Sequence, residues 1–167
     1  MSIELPEAQI LAKQMNETLK KKKVTSYDLR DIDQRIKIGF IKDVDFFKNL
    51  INKKVLEVTS RGNAILIKLN KGMNLLIGLE YGGVIRYHIK GDKIPKYHLR
   101  IDFTDESTLI IRIKSMGLIT AISDKNLDQS YIYKRDFLGG ISPVSKEFTF
   151  ENFFMLIHRK KNRLSHS

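Results

Sequence analysis

The stretch Ile3-Glu4-Leu5-Pro6-Glu7 opens an N-terminal helix that is predicted to extend to about Leu19. Pro6 suits the first turn of a helix, because the N–H group that proline lacks would have no partner there. Glu4 and Glu7 add negative charge at the positive end of the helix dipole. Helical spacing places four apolar residues on one face: Ile10, Leu11, Met15 and Leu19. The pattern predicts a docked helix that tucks the chain terminus into the protein.

The composition indicates one soluble domain with a basic surface. The 167 residues are 42% hydrophobic, and 30 Lys and Arg outnumber 19 Asp and Glu, which gives a formal charge of +11. Such an excess favours a polyanionic partner, nucleic acid before an acidic membrane surface, and the alternative is a basic surface that binds neither. The longest basic run, Lys20–Lys23, is most simply interpreted as a solvated helix end that compensates the helix dipole.

Several kinds of site are excluded or not expected. The chain has no cysteine, so it can form neither a disulfide framework nor a cysteine zinc site. Its four histidines show no ligand spacing, and neither a metal nor a cofactor is expected. No run of 18 apolar residues and no signal-peptide pattern are present, which predicts a cytoplasmic, nucleoid-associated protein without a membrane partner.

Period-two alternation dominates from Lys54 onward and predicts an α+β, mainly β fold. Two earlier strands are predicted at Val24–Leu29 and Arg35–Phe40, followed by a short helix at Phe46–Ile51. Seven more strands follow between turns rich in Gly, Asn and Asp: Val55–Ser60, Ala64–Leu69, Met73–Leu79, Val84–Ile89, His98–Phe103, Thr108–Ile113 and Leu118–Ile122. This spacing favours an antiparallel β-sandwich, flanked by the first helix and by a last helix from Phe148 to about Lys160. Residues 1–160 are predicted to form one domain and residues 161–167 a basic tail.

The segment Glu4-Leu5-Pro6-Glu7 resembles the start of the formamidopyrimidine-DNA glycosylase and endonuclease VIII family, whose mature chains begin Pro-Glu-Leu-Pro-Glu. These are base-excision repair enzymes, and the resemblance implies their N-terminal domain, a β-sandwich with a buried first helix and a closing helix. Further segments resemble family motifs in the same order along the chain: Arg61-Gly62-Asn63, the loop within Leu79–Tyr87, Tyr97–Phe103, Lys114–Gly117 and Phe137–Thr149.

The resemblance implies catalytic positions at the N-terminus. In the family, the amine of the terminal proline attacks the sugar of a damaged nucleotide, and the adjacent glutamate assists ring opening. Glu4 matches that glutamate and Glu7 matches the second one, whereas Ile3 stands at the position of the proline. If Met1 is removed, Ser2 offers an α-amine two residues before Glu4 and becomes the candidate nucleophile. In the family the amine lies one residue before the glutamate, so the Ser2 amine is displaced by one residue. Such a displacement predicts a loss of rate on the order of a hundredfold.

The resemblance also implies DNA-binding positions. Asn63 stands where the family has a lysine that grips a phosphate, and Tyr81 replaces the methionine that fills the gap left by a flipped-out base. Lys114 keeps one charge and Met116 keeps an apolar wedge where the family has Arg-Arg-Phe-Gly, and His98 matches the second histidine of a His-Asp-His strand. The predicted DNA-binding residues are therefore Arg61, Asn63, Tyr81, His98, Lys114 and Met116.

Together these observations predict a DNA repair glycosylase-like domain that binds damaged or abasic duplex DNA. The family's activity is base excision with strand cleavage at the abasic site, and it is expected to be weak or absent in this chain. The family pairs this domain with a C-terminal helix–two-turn–helix domain, and the chain is expected to stop where the interdomain linker begins, which makes a separately encoded C-terminal half a candidate partner. The alternatives are a non-enzymatic protein-interaction module, half of a split glycosylase, or a chain that dimerises through an exposed apolar patch.

Overall fold

The computed structural model describes residues 5–79, 82–138, 148–152 and 154 of the chain. Within residues 5–79 and 82–138, the helical elements are α1 (Leu5–Leu19), α2 (Asp33–Lys37), α3 (Tyr131–Tyr133), 3₁₀ helices at Val44–Leu50 and Asp124–Gln129, and a π-helical turn at Lys134–Leu138. The strands are β1 (Val24–Leu29), β2 (Ile41–Lys42), β3 (Val55–Arg61), β4 (Ala64–Leu69), β5 (Met73–Gly78), β6 (Gly83–His88), β7 (Leu99–Phe103), β8 (Thr108–Ile113) and β9 (Leu118–Ser123).

The strands form two sheets that pack into a sandwich. One sheet has the order β1-β7-β8-β6 and is antiparallel throughout. The other has the order β2-β9-β5-β4-β3 and is antiparallel apart from the short parallel pair of β2 and β9. The predicted α+β, mainly β sandwich is therefore confirmed.

The main core lies between the two sheets. Strand β7 follows strict alternation, with Leu99, Ile101 and Phe103 buried and the residues between them half-buried. Strands β4 and β5 instead bury nearly every residue, because their outer face is covered as well. There, Leu127 and Ile132 from the last helical segments pack against three sheet residues: Ala64, Leu66 and Leu76.

Helix α1 packs on β3 through a stripe of small and medium-sized residues. The buried positions recur at helical spacing: Ala8, Ala12, Met15 and Leu19. Ile10 was predicted on this face, and that prediction is wrong, because its side chain is 57% exposed. Ile10 follows Ala8 by two residues, about 200° around the helix, and so points away from the sheet.

The segment predicted as a strand at Arg35–Phe40 is helical, so this prediction is wrong as well. Helix α2 covers Asp33–Lys37, and the alternating Ile36 and Ile38 are 41% and 48% exposed. The helix ends at Lys37, with Ile38 as its C-cap, and the next residue, Gly39, has a φ of +74°. Left-handed glycine is a common helix stop, since it carries no Cβ that would clash in this conformation.

The other predicted strands agree with the structure to within one or two residues at their ends. Of the predicted last helix, residues 150–152 and 154 are helical, and the rest lies outside the described residues. The predicted domain boundary at residue 160 also lies outside them and stays a prediction. None of the described helices has the length and apolar character needed to cross a membrane.

The strand register gathers several loops at one end of the sandwich. Ala64 of β4 pairs with Gly78 of β5, which pairs with Leu118 of β9, and Gly83 of β6 pairs with Ile113 of β8. We call this the loop end. It comprises the β3–β4 turn (residues 62–63), residues 79 and 82, residues 97–98 before β7, and the β8–β9 loop (residues 114–117).

The N-terminus of α1 lies at the same end. The Lys21 N–H donates to the Val55 carbonyl (2.9 Å), and the Val58 N–H donates to Asn16 Oδ1 (2.9 Å). Helix α1 therefore runs antiparallel to β3, and its first turn points towards the β3–β4 turn. Its C-terminus and Lys20–Lys23 lie at the opposite end of the sandwich.

Candidate nucleic-acid interface

The loop end brings together residues that are far apart in the sequence and that the family resemblance had singled out. Glu7 lies in the first turn of α1, Asn63 in the β3–β4 turn, and Lys114 and Met116 in the β8–β9 loop. Ser2, Glu4 and Tyr81 lie outside the described residues. The fold therefore places the described candidates at one end of the sandwich.

The β8–β9 loop presents a cation and an apolar side chain to solvent. Lys114 is exposed, and Met116 is 45% exposed. The Lys114 N–H donates to the Gly82 carbonyl at 3.0 Å, which ties this loop to the start of β6. A Cβ on Gly117 would lie 2.7 Å from the Gly78 carbonyl oxygen, so only glycine allows this close approach to β5. The main chain of the loop is thus fixed, while its two candidate contact side chains point outward.

Arg35 holds the same loop from the side and was not recognised from the sequence. Its guanidinium donates to the carbonyls of Ser115 (3.2 Å), Ile113 (3.4 Å) and Lys114 (3.5 Å). A planar guanidinium with five N–H donors can contact several carbonyls at once. The helix-stop signal at Gly39 could have located α2, but no sequence signal indicates which loop Arg35 contacts.

His98 lies beneath the β8–β9 loop instead of on its surface. It is 6% exposed, and its Nδ1 accepts a hydrogen bond from the Ile113 N–H at 2.9 Å. An accepting Nδ1 requires that the neutral ring carry its proton on Nε2. Burial lowers the pKa of His98, and the nearby charges of Arg35 and Arg112 lower it further. The side chain therefore positions the end of β8 as a neutral ring.

Tyr97, next to His98, belongs to a small polar network on the four-stranded sheet. Its hydroxyl donates to Asp28 Oδ2 at 2.5 Å, and Arg30 donates to the same carboxylate at 2.7 Å. The hydrogen bond from Tyr97 lowers the pKa of Asp28, with a further contribution from Arg30. Arg30 also lies 5.3 Å from the centre of the Tyr97 ring. These contacts anchor the segment that enters β7.

The β3–β4 turn is anchored by the π-helical turn. Arg61 Nη1 donates to the Phe137 carbonyl at 3.0 Å, so this predicted DNA-binding residue also has a structural contact. Gly62 has a φ of +58°, and a Cβ there would lie 2.8 Å from the Cγ of Asp136. The carboxylate of Asp136 is held in turn by Arg135 at 2.6 Å. Asn63 is half-buried at the tip of this turn.

The described part of the β8–β9 loop offers one cation and one apolar side chain on a fixed main chain, Lys114 and Met116, and Arg112 near the end of β8 adds a second exposed cation. Lysine and arginine side chains are suited to contacts with phosphate groups. Within the described ranges, no group of three or more His, Asp or Glu side chains is placed to hold a metal ion.

Comparisons with known proteins agree with this fold. A model of the formamidopyrimidine-DNA glycosylase N-terminal domain matches residues 3–114. A solved structure of Lactococcus lactis Fpg with abasic-site DNA is similar, with a TM-score of 0.73 and 20% identity over 95% of this chain and 55% of that chain. Its complex with FAPY-dG DNA gives the same TM-score and identity, over 95% and 56%.

A third L. lactis Fpg structure, with N7-benzyl-Fapy-dG DNA, has a TM-score of 0.66 and 19% identity, over 79% of this chain and 48% of that chain. The chain thus spans about half the length of these solved structures. No curated protein matches it. The family model covers well over half of the chain, so the chain belongs to the formamidopyrimidine-DNA glycosylase family, through that family's N-terminal domain.

Proposed function

We propose that this chain is a DNA-binding domain of base-excision repair, which holds duplex DNA with a damaged or abasic nucleotide against its loop end. The observation that carries the proposal is the convergence of Glu7, Asn63, Lys114 and Met116 at that end. The similar L. lactis structures are complexes with abasic or FAPY-dG DNA, which supports DNA as the ligand. Residues 1–160 would act as one domain, with residues 161–167 as a basic tail, at the nucleoid.

Two side chains of the β8–β9 loop would contact different parts of the DNA. Lys114 would contact a phosphate, and such a contact releases counterions and makes the affinity depend on salt. Met116 would fill the space left by an extrahelical or missing base, as apolar wedges do when they enter a base stack. The two roles predict different defects when each side chain is removed.

The test is fluorescence anisotropy with an abasic duplex and the matched intact duplex, at several salt concentrations. Lys114→Gln should weaken binding to both duplexes and lower the log–log salt slope by about one. Met116→Ala should leave the slope unchanged and reduce the preference for the abasic duplex. Lys13→Gln, an exposed change of equal charge in the middle of α1, is the control. If Lys114→Gln behaves like Lys13→Gln in both slope and affinity, the loop end is not the DNA contact.

We propose further that catalysis by this chain is weak, because Ile3 stands at the position of the family's nucleophilic proline. The Ser2 amine, assisted by Glu4 and Glu7, is the remaining candidate nucleophile. Borohydride trapping on an abasic duplex would capture an imine between that amine and the sugar. The expected result is salt-sensitive binding with little or no trapped adduct. A stoichiometric adduct that maps to the N-terminal peptide and is lost in Glu4→Gln would show an active lyase instead.

A further inference from the structure

The end of the sandwich opposite the loop end carries a dense group of lysines on a rigid main chain. We call it the lysine end and define it by seven residues: Lys20, Lys21, Lys22, Lys23, Lys53, Lys54 and Lys71. The Val55 N–H donates to the Lys22 carbonyl at 2.9 Å, and the Thr104 N–H donates to the Lys23 carbonyl at 3.0 Å. The main chain of Lys20–Lys23 is thus held by both sheets.

Three features of this end weaken the fold. Lys23 and Lys54 are direct partners in an isolated antiparallel bridge, where like charges face each other at close range. Lys21 and Lys71 adopt positive φ values of 73° and 59°, a conformation that favours Gly or Asn over lysine. Residues that disfavour their local conformation or their neighbours, without a need in the fold, are expected on surfaces that have a function.

Nothing in the described part of the chain neutralises most of this charge. Lys22 is paired with Asp105, whose pKa is lowered to about 2 by hydrogen bonds from Lys22 and Ser107. Asp124, near Gly72, accepts a hydrogen bond from Asn74. The other six lysines form no ion pair with any described residue. Lysines near the last turn of α1 compensate the helix dipole, but this interaction falls off beyond that turn. It therefore does not explain the presence of lysine at positions 53, 54 and 71.

We propose that the lysine end is a second binding surface, which contacts the phosphate backbone of duplex DNA without reading its sequence. Clustered lysines without carboxylate partners are the electrostatic signature of phosphate binding. This goes beyond the function proposed for the loop end.

The spacing of the two surfaces determines which DNA each can reach. Helix α1 has 15 residues and spans about 22 Å between the two ends. A straight duplex that crosses the loop end perpendicular to α1 would have to bend around the sandwich to reach the lysine end, and DNA with a persistence length of about 50 nm resists such bending. The lysine end therefore binds a separate DNA segment, and one chain can bridge two duplexes.

The sequence contains no cysteine, so a single introduced cysteine can be labelled selectively with a photo-crosslinker. Lys21→Cys and Lys71→Cys probe the lysine end, Lys114→Cys probes the loop end, and Lys13→Cys is the control on the exposed side of α1. Each labelled full-length variant is irradiated with a 30-base-pair duplex carrying one abasic site. The expected result is adducts from Lys21→Cys, Lys71→Cys and Lys114→Cys, and none from Lys13→Cys.

The outcomes separate the two proposals. An adduct from Lys114→Cys without any from the lysine end overturns this inference and leaves the proposed function intact. Adducts from the lysine end alone support this inference and count against the loop end as the DNA contact. Equal adducts from all four variants indicate non-specific proximity and overturn this inference.

A second pair of measurements separates binding from folding. The double variant Lys21→Asn with Lys71→Asn suits the left-handed conformation, so it should unfold at the same or a higher urea concentration than the parent protein. It should nevertheless lower the log–log salt slope of duplex binding by up to about two and abolish capture of a second labelled duplex by a protein–DNA complex. Unchanged capture would overturn the inference, as would tighter binding of the parent protein to phosphatidylserine vesicles than to DNA.

Discussion

Arg35 is the residue on which the shape of the β8–β9 loop depends most. Its guanidinium reaches the carbonyls of Ile113, Lys114 and Ser115, which are 78 to 80 positions away in the sequence. We predict that Arg35→Ala lowers the free energy of unfolding by about 1–2 kcal/mol through lost hydrogen bonds. It should also weaken abasic-duplex binding more than the loss of one distant charge would. Urea unfolding and anisotropy measure the two effects.

Lys37→Ala, on the same short helix, removes an equal charge without touching the loop and serves as the control. If the two variants weaken DNA binding equally, Arg35 acts only through its charge. The sequence could not reveal this role, because a contact between residues so far apart depends on the tertiary fold.

His98 gives the stability of the domain a pH dependence. Because its pKa is lowered in the folded state, the unfolded chain takes up a proton first as the pH falls below about 6.5. The free energy of unfolding should therefore be highest above pH 6.5 and fall as the pH drops towards the folded-state pKa. His98→Asn, whose Oδ1 can replace Nδ1 as the acceptor, should lose less stability between pH 7.5 and pH 5. Parallel losses in urea unfolding would rule out His98 as the source.

At the level of elements, α1 shows what a hydrophobic pattern can and cannot predict. Its bounds follow from Pro6 and from the change of composition at Lys20, and the sequence predicted both. The buried face was predicted less well, because the close approach of α1 to β3 uses Ala8 and Ala12, whereas the larger Ile10 faces solvent. Side-chain size, and not apolar character alone, decides which face fits against a sheet.

This packing predicts unequal costs for two truncations in α1. Leu19 is 1% exposed, so Leu19→Ala should cost about 2–5 kcal/mol by removing buried surface and leaving a cavity. Ile10→Ala should change the free energy of unfolding by less than about 0.5 kcal/mol. Chemical denaturation of both variants checks the order, and an equal loss would contradict the observed orientation of α1.

The strands were the most predictable elements, because each of the seven strands after Lys54 has a clear alternation or a short apolar run between turn residues. No element was predicted from the sequence at residues 124–138, although Leu127 and Ile132 cover the outer face of β4 and β5. These residues form short 3₁₀, α and π turns, which lack the repeat length that a periodicity argument needs.

At the level of the whole molecule, the exposed cations of the described residues include groups at both ends of the sandwich. The lysine end and the exposed cations near the β8–β9 loop lie at opposite ends of the sandwich, separated by the length of α1. The motifs of the loop end could be recognised one by one in the sequence. That they lie at one end of the sandwich follows only from the antiparallel register of β4, β5 and β9 and of β6 and β8.

Binding of damaged DNA at the loop end can be tested directly by an amide chemical-shift titration of the labelled protein with one equivalent of a 15-base-pair abasic duplex. If the loop end binds the damaged duplex, the largest shifts should fall in the β3–β4 turn and the β8–β9 loop, at Gly62, Asn63, Ser115, Met116 and Gly117. The matched intact duplex should shift the same amides less. Unshifted amides in both loops, with saturable shifts confined to other surfaces, would contradict the assignment of the loop end as the site for damaged DNA.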